Sequence, residues 1–307
     1  RSGVGESMHH GVAVALDAAG NMVSSVGDVN THIYPRSSLK PFQAAAMVDL
    51  GLELPPRLLA LAAASHSGEA VHLDGVREIL SGHGLAVDDL QNTPARPVGA
   101  DARAAARLAG VPPSPLQQNC SGKHAAMLAT CVRNGWSTDD YLAPDHPLQR
   151  AIVEAIEALG SPVVASGVDG CGAPTHVLTV SDCARALARL VVEGSSVTQA
   201  MSAHPLMVGG AGRDVTRWME AVPGLVAKEG AQGVMVLAMP DGRAAAFKIA
   251  DGSDNGRRAV TVQALRQLDV DVDGEHRAVR DAVAVPAYGH GHPVGWTVPT
   301  PWQPVDA

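Results

Sequence analysis

Two candidate β-hairpins lie near opposite ends of the sequence, and they constrain the fold more than any other feature. In the first, short apolar runs at 10–16 (HGVAVAL) and 22–28 (MVSSVGD) flank the turn-like segment DAAGN. In the second, runs at 233–239 (GVMVLAM) and 244–250 (AAAFKIA) flank PDGR, whose proline, aspartate and glycine favour a turn. Because a single hairpin is marginally stable in water, we expect the two to pair in one mainly antiparallel sheet.

The chain between the hairpins has a mostly helical pattern. The predicted helices span 41–52, 53–64, 74–82, 100–108, 123–135, 146–159, 182–193 and 213–221. Strands do not alternate regularly with helices, which argues against a parallel βαβ fold. We therefore predict an α+β fold in which residues 1–307 form a single domain, with a helical lobe inserted between the N-terminal and C-terminal strands. The proline-rich tail after Tyr288 is expected to be irregular.

The composition excludes several classes of protein. Hydrophobic residues make up 46% and charged residues 18% of the 307, so the chain can build a substantial core. Its formal net charge of −8 disfavours binding to nucleic acid or to an anionic membrane surface, since neither would meet a basic stripe. The longest apolar runs fall short of the roughly 20 residues that cross a bilayer.

The four cysteines are too sparse for a disulfide scaffold, which favours a reduced, cytoplasmic location. Cys131 and Cys183 lie within predicted helices and are expected to be core thiols. Cys120 and Cys171 lie instead in the loop segments QQNCSGKH and DGCGAP, close to other polar residues. Their spacing alone does not define a metal site, so they are either ligands or core residues.

The segment RSSLKPFQ at 36–43 places Ser37 and Lys40 three residues apart at an apparent helix entry. Side chains at this spacing share one face of a helical turn, so a neutral Lys40 can accept the proton of Ser37. Pro41 disfavours helical torsions at Lys40, which indicates a tight turn leading into the helix. A solvated helix start is the alternative interpretation of the same residues.

Two other segments offer a second serine and a second lysine. Ser65 lies in ASHSGE at 64–69, which ends an apolar helical run with more polar side chains than a helix stop requires, although a cap and loop would also explain them. Lys248 lies in the candidate strand AAAFKIA. Because an unpaired buried ammonium is costly, Lys248 either points to solvent or enters a cleft where it can polarise a serine.

Five motifs follow one another along the chain: YPRSSLKPFQ, ASHSGE, NCSGKH, DGCGAP and HPLMVGG. With them the chain closely resembles the Rhizobium etli-type, or class 3, L-asparaginases of the asparaginase II family, over roughly residues 8–252. The resemblance implies a single catalytic domain with a fold similar to that of serine β-lactamases and glutaminases, in agreement with the α+β prediction. It also implies a homodimer.

The resemblance implies two Ser-Lys pairs, which are Ser37 with Lys40 and Ser65 with Lys248. The implied reaction is hydrolysis of L-asparagine to L-aspartate and ammonia. Ser37 is expected to attack the side-chain amide, although the sequence does not determine which serine is the nucleophile. The alternatives are a Ser-Lys glutaminase, another amide hydrolase of the β-lactamase fold such as a penicillin-interacting enzyme, or a non-catalytic zinc-binding relative.

The resemblance further implies a zinc ion beside the substrate. Its ligands would be Cys120, Lys123 and Cys171. Lysine binds zinc only when it is neutral, so the bound ion must depress its pKa. Three more side chains are expected to contact the substrate or support the metal, namely Asp169, His124 and Arg36.

Overall fold

The two predicted hairpins form and pair with each other in the computed structural model, which describes residues 2–305. Strands β1 (Gly11–Leu16) and β2 (Met22–Val26) make the first hairpin, and β7 (Val234–Ala238) and β8 (Ala244–Ile249) make the second. β1 and β8 are antiparallel neighbours, from Gly11 opposite Ile249 to Leu16 opposite Ala244. The prediction of one mainly antiparallel sheet is therefore confirmed.

Two strands that the sequence did not predict complete this sheet. They are β6 (Val226–Gly230), which pairs with β7, and the short β11 (Gln303–Pro304), which pairs with β2. The order of the six strands is β11-β2-β1-β8-β7-β6, so β6 lies at one edge. A second, three-stranded sheet has the order β3 (His32–Ile33), β5 (Pro174–Thr179) and β4 (Ala165–Val168).

Helices occupy the middle of the chain, as predicted. The predicted ones are α1 (Lys40–Asp49), α2 (Pro56–Ala62), α3 (Ala70–Ser81), α4 (Ala100–Leu108), α5 (Ser121–Arg133), α6 (Pro147–Ala158), α7 (Val180–Val192) and α10 (Asp214–Ala221). Four were not predicted, namely α8 (Ser196–Ala203), α9 (Pro205–Val208), α11 (Asp254–Gln267) and α12 (Arg277–Val283). No helix within residues 2–305 is long and apolar enough to span a membrane. The mixture of helices with antiparallel strands is the predicted α+β class.

The expectation that the tail is irregular after Tyr288 is wrong. Strand β10 (His292–Thr297) folds back on β9 (Val285–Gly289) as an antiparallel hairpin. The connection is His290-Gly291, and both residues have positive φ, at 49° and 81°. A two-residue turn with positive φ at both positions matches the right-handed twist of the flanking strands, and it is a common hairpin connection.

Close backbone approaches bring together the segments that carry the candidate site residues. A Cβ on Gly122, in the first turn of α5, would lie 2.4 Å from the Leu61 carbonyl oxygen on α2. A Cβ on Gly230, at the end of β6, would lie 2.2 Å from the carbonyl oxygen of Pro35. Glycine therefore lets α5 approach the end of α2, and lets the edge strand β6 approach the segment that precedes Ser37.

Candidate active site

Ser37 lies on a 3₁₀ turn (Arg36–Leu39) that leads directly into α1. Pro41 was expected to disfavour helical torsions at Lys40. Lys40 nevertheless has helical torsions and is the first residue of α1. Pro41 itself stands in the first turn, where a missing N–H is tolerated. Arg36, which precedes the serine, has a φ of 54°, a region that a non-glycine residue seldom occupies. This bend leaves the Ser37 side chain half-buried, whereas Ser38 and Lys40 are fully buried.

The ammonium of Lys40 points at the other predicted serine. Lys40 Nζ lies 3.1 Å from Ser65 Oγ and 3.2 Å from Cys120 Sγ, and it also donates to the carbonyl oxygen of Ala64. Ser65 follows the end of α2 and is held by a hydrogen bond from its backbone N–H to Val208 O, in the HPLMVGG segment. Within residues 2–305, no hydrogen bond joins the Ser37 hydroxyl to Lys40. The structure thus brings Lys40 to Ser65.

The predicted pairing of Ser65 with Lys248 is wrong. Lys248 Nζ, on β8, donates to Gln232 O at 2.7 Å and to Ile249 O, and its side chain is only partly buried. The lysine that reaches Ser65 is Lys228, whose Nζ lies 3.0 Å from Ser65 Oγ. Lys228 lies on the unpredicted edge strand β6 and is fully buried. The missed signal is the run LVAK at 225–228, in which a lysine closes an apolar segment just before the second hairpin.

Ser65 Oγ is therefore shared by two buried lysines. Burial lowers the pKa of Lys228 to about 8; the nearby Glu229 carboxylate opposes this shift, while Lys40 and Arg213 add to it. A lysine with such a pKa is partly neutral near pH 7, which is the state in which it can accept a proton.

A pair of thiols lies on the far side of Lys40. Cys120 immediately precedes α5, and Cys171 lies in the turn between β4 and β5; both are buried and pack in one small cluster. The hydrogen bond from Cys171, with the charges of Lys40 and Lys123, holds the pKa of Cys120 well below its usual range. The Lys123 ammonium lies 3.5 Å from Cys171 Sγ. Burial alone would lower the pKa of Lys123, but Cys171, Cys120 and Asp169 outweigh it and raise that pKa.

This arrangement is compatible with a metal ion on chemical grounds. Two adjacent thiols and an amine are donors that zinc accepts once their protons are lost. No group of three or more His, Cys, Asp or Glu side chains within residues 2–305 is placed to hold a metal. The predicted set contains only two residues of those types, because its third member is Lys123. Cys131 and Cys183, by contrast, are buried in the core, as predicted.

Asp169 and Arg36 form an ion pair beside the thiols. Arg36 Nε and Nη2 lie 2.8 and 2.6 Å from Asp169 Oδ1, and the Gly170 N–H donates to the same oxygen at 2.7 Å. Burial would raise the pKa of Asp169, but these hydrogen bonds and the charges of Lys123 and Arg36 lower it. Asp169 is therefore ionised at neutral pH, and its Oδ2 is free of these three contacts.

His124 is the remaining predicted substrate contact. It is fully buried on α5, and its Nδ1 lies 2.8 Å from the Tyr141 hydroxyl. Its Nε2 has no hydrogen-bond partner within residues 2–305. Burial, with the charges of Lys123 and Lys40, lowers the pKa of His124 well below 6.5, so the imidazole is neutral. A neutral ring with one open nitrogen is suited to a ligand contact.

His66, between Ser65 and Ser67 in ASHSGE, makes contacts that stabilise the structure around the site. It is buried, it accepts the Gly68 N–H at Nδ1, and it stacks on His72 with ring centroids 5.1 Å apart. Its Nε2 lies 2.9 Å from Ser121 Oγ, which ties the Ser65 loop to the first turn of α5. Nδ1 thus stabilises the loop that contains Ser65, and Nε2 connects this loop to α5.

Because several histidines are buried, we expect the protein to lose stability in mild acid. Burial lowers the pKa values of His66 and His72, and it lowers that of His176 to about 4. Above pH 6.5 these rings are neutral in both the folded and unfolded states. Below it the unfolded chain binds protons that the folded protein does not, so the free energy of unfolding falls as the pH falls. His176 alone would account for about 3 kcal/mol by pH 4.

Urea unfolding between pH 7.5 and 4.5 would measure this loss. The variant His176→Gln is expected to have a shallower dependence on pH than the wild type, and the exposed His290→Gln an unchanged one. Equal slopes in the wild type and His176→Gln would contradict the assignment to His176.

Comparison with known proteins gives one family. The model of the L-asparaginase II family matches residues 1–299. A β-lactamase from Mycobacterium bovis is among the similar solved structures, with a TM-score of 0.43 and 17% identity over 79% of this chain and 88% of that one. No curated protein sequence matches. Since the family model spans nearly the whole chain, the protein belongs to the L-asparaginase II family.

Proposed function

We propose that the protein hydrolyses L-asparagine to L-aspartate and ammonia through a serine that is activated by lysine. Membership of the L-asparaginase II family supports an amide hydrolase. The observation that carries the mechanism is the position of Ser65 Oγ, 3.1 Å from Lys40 Nζ and 3.0 Å from Lys228 Nζ. Two buried amines on one hydroxyl are suited to moving a proton and have no evident purpose in a binding module.

Ser37 is the proposed nucleophile because it is the more accessible of the two serines. Its side chain is half-buried, whereas Ser65 is 3% exposed and already bonded to both lysines. Ser37 Oγ attacks the carbon of the side-chain amide, and its proton passes to Lys40, one helical turn away, as Lys40 gives one of its own protons through the Ser65 hydroxyl to Lys228. Contacts between a base and its nucleophile often tighten only when substrate binds, which is compatible with the open position of the Ser37 hydroxyl.

Collapse of the tetrahedral adduct breaks the carbon–nitrogen bond. Lys40 returns the proton to the departing nitrogen, so that ammonia leaves and an ester joins the aspartyl group to Ser37. Water then attacks this ester and gives a proton to Lys40, which passes it to Ser37 Oγ as the ester bond breaks and aspartate is released. Ser65 connects Lys40 to Lys228, so a proton held by one lysine can move to the other through the Ser65 hydroxyl.

The substrate's own charges fit the predicted contacts. The ionised Asp169 has an oxygen available for the α-ammonium of an amino acid, and Arg36 fixes the orientation of that carboxylate. His124, next to Lys123 on α5, adds a buried Nε2 that has no hydrogen-bond partner in the described part of the chain.

We further propose that Cys120, Lys123 and Cys171 hold a zinc ion. The clustered thiols and the 3.5 Å contact from Lys123 Nζ to Cys171 Sγ support this ligand set. Bound there, the ion would supply a positive charge that orients the substrate, since the nucleophile is a serine. The homodimer and the cytoplasmic location stay predictions.

Removal of a thiol ligand is expected to remove the metal. Cys171→Ala should lower the zinc content of the purified protein at least tenfold, because two remaining donors hold zinc weakly. Zinc per chain would be measured by mass spectrometry of the elements. Cys183→Ala, a change of the same kind in the core, should retain the wild-type zinc content. Equal zinc in the wild type and Cys171→Ala would refute the ligand set.

An ammonia-release assay tests the substrate. Asparagine is the expected substrate, with glutamine and a chromogenic β-lactam as comparisons on the same sample. Faster release from glutamine would indicate a glutaminase, and cleavage of the β-lactam would indicate a penicillin-interacting enzyme. No activity on any of them, in protein that retains its zinc, would favour the non-catalytic alternative.

A further inference from the structure

Glu229 is a buried carboxylate shared between two cations. It follows Lys228 on the edge strand β6 and its side chain is 9% exposed. Glu229 Oε2 lies 3.5 Å from Lys228 Nζ, while Oε1 accepts a hydrogen bond from Arg213 Nη2 at 2.9 Å. The same lysine also donates to the backbone oxygen of Glu229, at 2.8 Å. One carboxylate thus joins Arg213, just before α10, to the amine that bonds Ser65.

Ser65 Oγ can accept from both lysines but can donate its single proton to only one of them. An acceptor of that proton must be neutral, so the pair needs one lysine without its extra charge. Two full ammonium charges on a single buried hydroxyl would also repel each other strongly. Some group must therefore set where the charge of the pair resides, and Glu229 is the carboxylate in contact with it.

We propose that Glu229 is a positioning residue for Lys228, and that Arg213, by competing for the same carboxylate, limits how firmly Glu229 holds the proton of that lysine. The proposal rests on the proposed Ser-Lys mechanism and assigns its charge balance to two residues that do not touch the substrate. Glu229 favours the charged lysine, whereas Arg213 favours the neutral one. The two cations must therefore be balanced against each other for the pair to work near neutral pH.

The other charged groups around Lys228 agree with these opposite roles of Glu229 and Arg213. Lys40 on α1 faces it across Ser65, and Cys120 lies on the other side of Lys40. Beyond Arg213, the Asp214 carboxylate is already paired with Arg257 on α11, at 2.8 and 3.2 Å. Burial would raise the pKa of Glu229, but Lys228, Arg213 and Arg257 outweigh it and lower that pKa. Glu229 is therefore ionised, and its charge acts on Lys228 and Arg213 together.

The test is whether variants of Glu229 and Arg213 shift the pH profile of kcat/KM in opposite directions. Activity rises with pH as Lys228 loses its proton, and the charges of Glu229 and Arg213 act on the midpoint of that limb. Glu229→Gln removes the charge that favours the protonated lysine, so the midpoint should move down by about one pH unit. Arg213→Gln leaves Glu229 to Lys228 alone, so the midpoint should move up by about one unit.

Matched controls lie on the surface of α10. Glu220→Gln and Arg217→Gln make the same chemical changes at exposed positions and should leave the midpoint within about 0.2 units, since exposed charges are screened. Arg213 borders an open cavity of about 690 Å³, so water can fill the space when its side chain is shortened. If Glu229→Gln does not fold, Glu229→Asp should shift the midpoint in the same direction by a smaller amount.

The ¹⁵Nζ signal of Lys228 in labelled protein gives a readout that is independent of catalysis. Its titration midpoint should move down in Glu229→Gln and up in Arg213→Gln. Unchanged midpoints in both variants, or shifts in the same direction, would overturn the proposal even if activity fell. A wild-type protein without amidase activity would instead refute the proposed function, and the ¹⁵Nζ titration would still decide the role of Glu229.

Discussion

Ser37→Ala is expected to abolish ammonia release from asparagine, with kcat reduced by at least about 10⁴-fold. The proposed ester forms on the Ser37 oxygen, and no other group takes its place when that oxygen is removed. The change deletes a half-buried hydroxyl that has no hydrogen-bond partner within residues 2–305. The free energy of unfolding should therefore stay close to that of the wild type, so loss of activity reports on chemistry.

The comparison variant is Ser65→Ala, which removes the bridge between the two lysines. General acid–base catalysis contributes about 10²–10⁴-fold, so a partial loss in this range is expected. Intact-mass spectrometry after rapid quenching should find the added aspartyl group in Ser65→Ala and not in Ser37→Ala. An acyl group trapped on Ser37→Ala, or full activity in that variant, would assign the nucleophile to Ser65.

Much of the fold is encoded in local patterns. The two hairpins have strong apolar runs and recognisable turns, and at the first turn Asp17 Oδ1 accepts the backbone N–H groups of Ala19 and Asn21. The eight predicted helices have apolar periodicity with glycine or proline at their ends. α11 was missed because its sequence, DNGRRAVTVQALRQ, is rich in polar residues. Its start is marked by Ser253, which accepts the Gly256 N–H, and only the packed structure shows its buried side.

The candidate site was predictable where motifs lie next to each other in sequence, and less so where strands bring distant residues together. Lys123 and Cys120 share one segment, and Ser37 and Lys40 share one turn. The partner of Ser65 depends on which strand lies beside the 3₁₀ turn that carries Ser37, which local patterns do not determine. Both Lys228 and Lys248 lie in short apolar segments, and only the position of β6 at the sheet edge separates them.

Lys228→Met is the second change with a large expected effect. It replaces a fully buried amine with an apolar side chain of similar length, so kcat should fall by about 10²–10⁴-fold as Ser65 loses one of its two proton partners. Stability should not fall with it. Removing one member of a buried ion pair is usually costly because the other is left unpaired, but Glu229 keeps its 2.9 Å hydrogen bond to Arg213.

Lys248→Met makes the same chemical change on the neighbouring part of the sheet. Its ammonium bonds backbone oxygens at the end of β8, away from Ser65, so kcat should stay within about twofold of the wild type. Calorimetric melting of both variants, together with the ammonia assay, separates a catalytic effect from an unfolding effect. A large loss in Lys248→Met with normal activity in Lys228→Met would restore the pairing that the sequence suggested. The contrast between two lysines 20 residues apart therefore tests whether the edge strand, and not the hairpin, supplies the second amine.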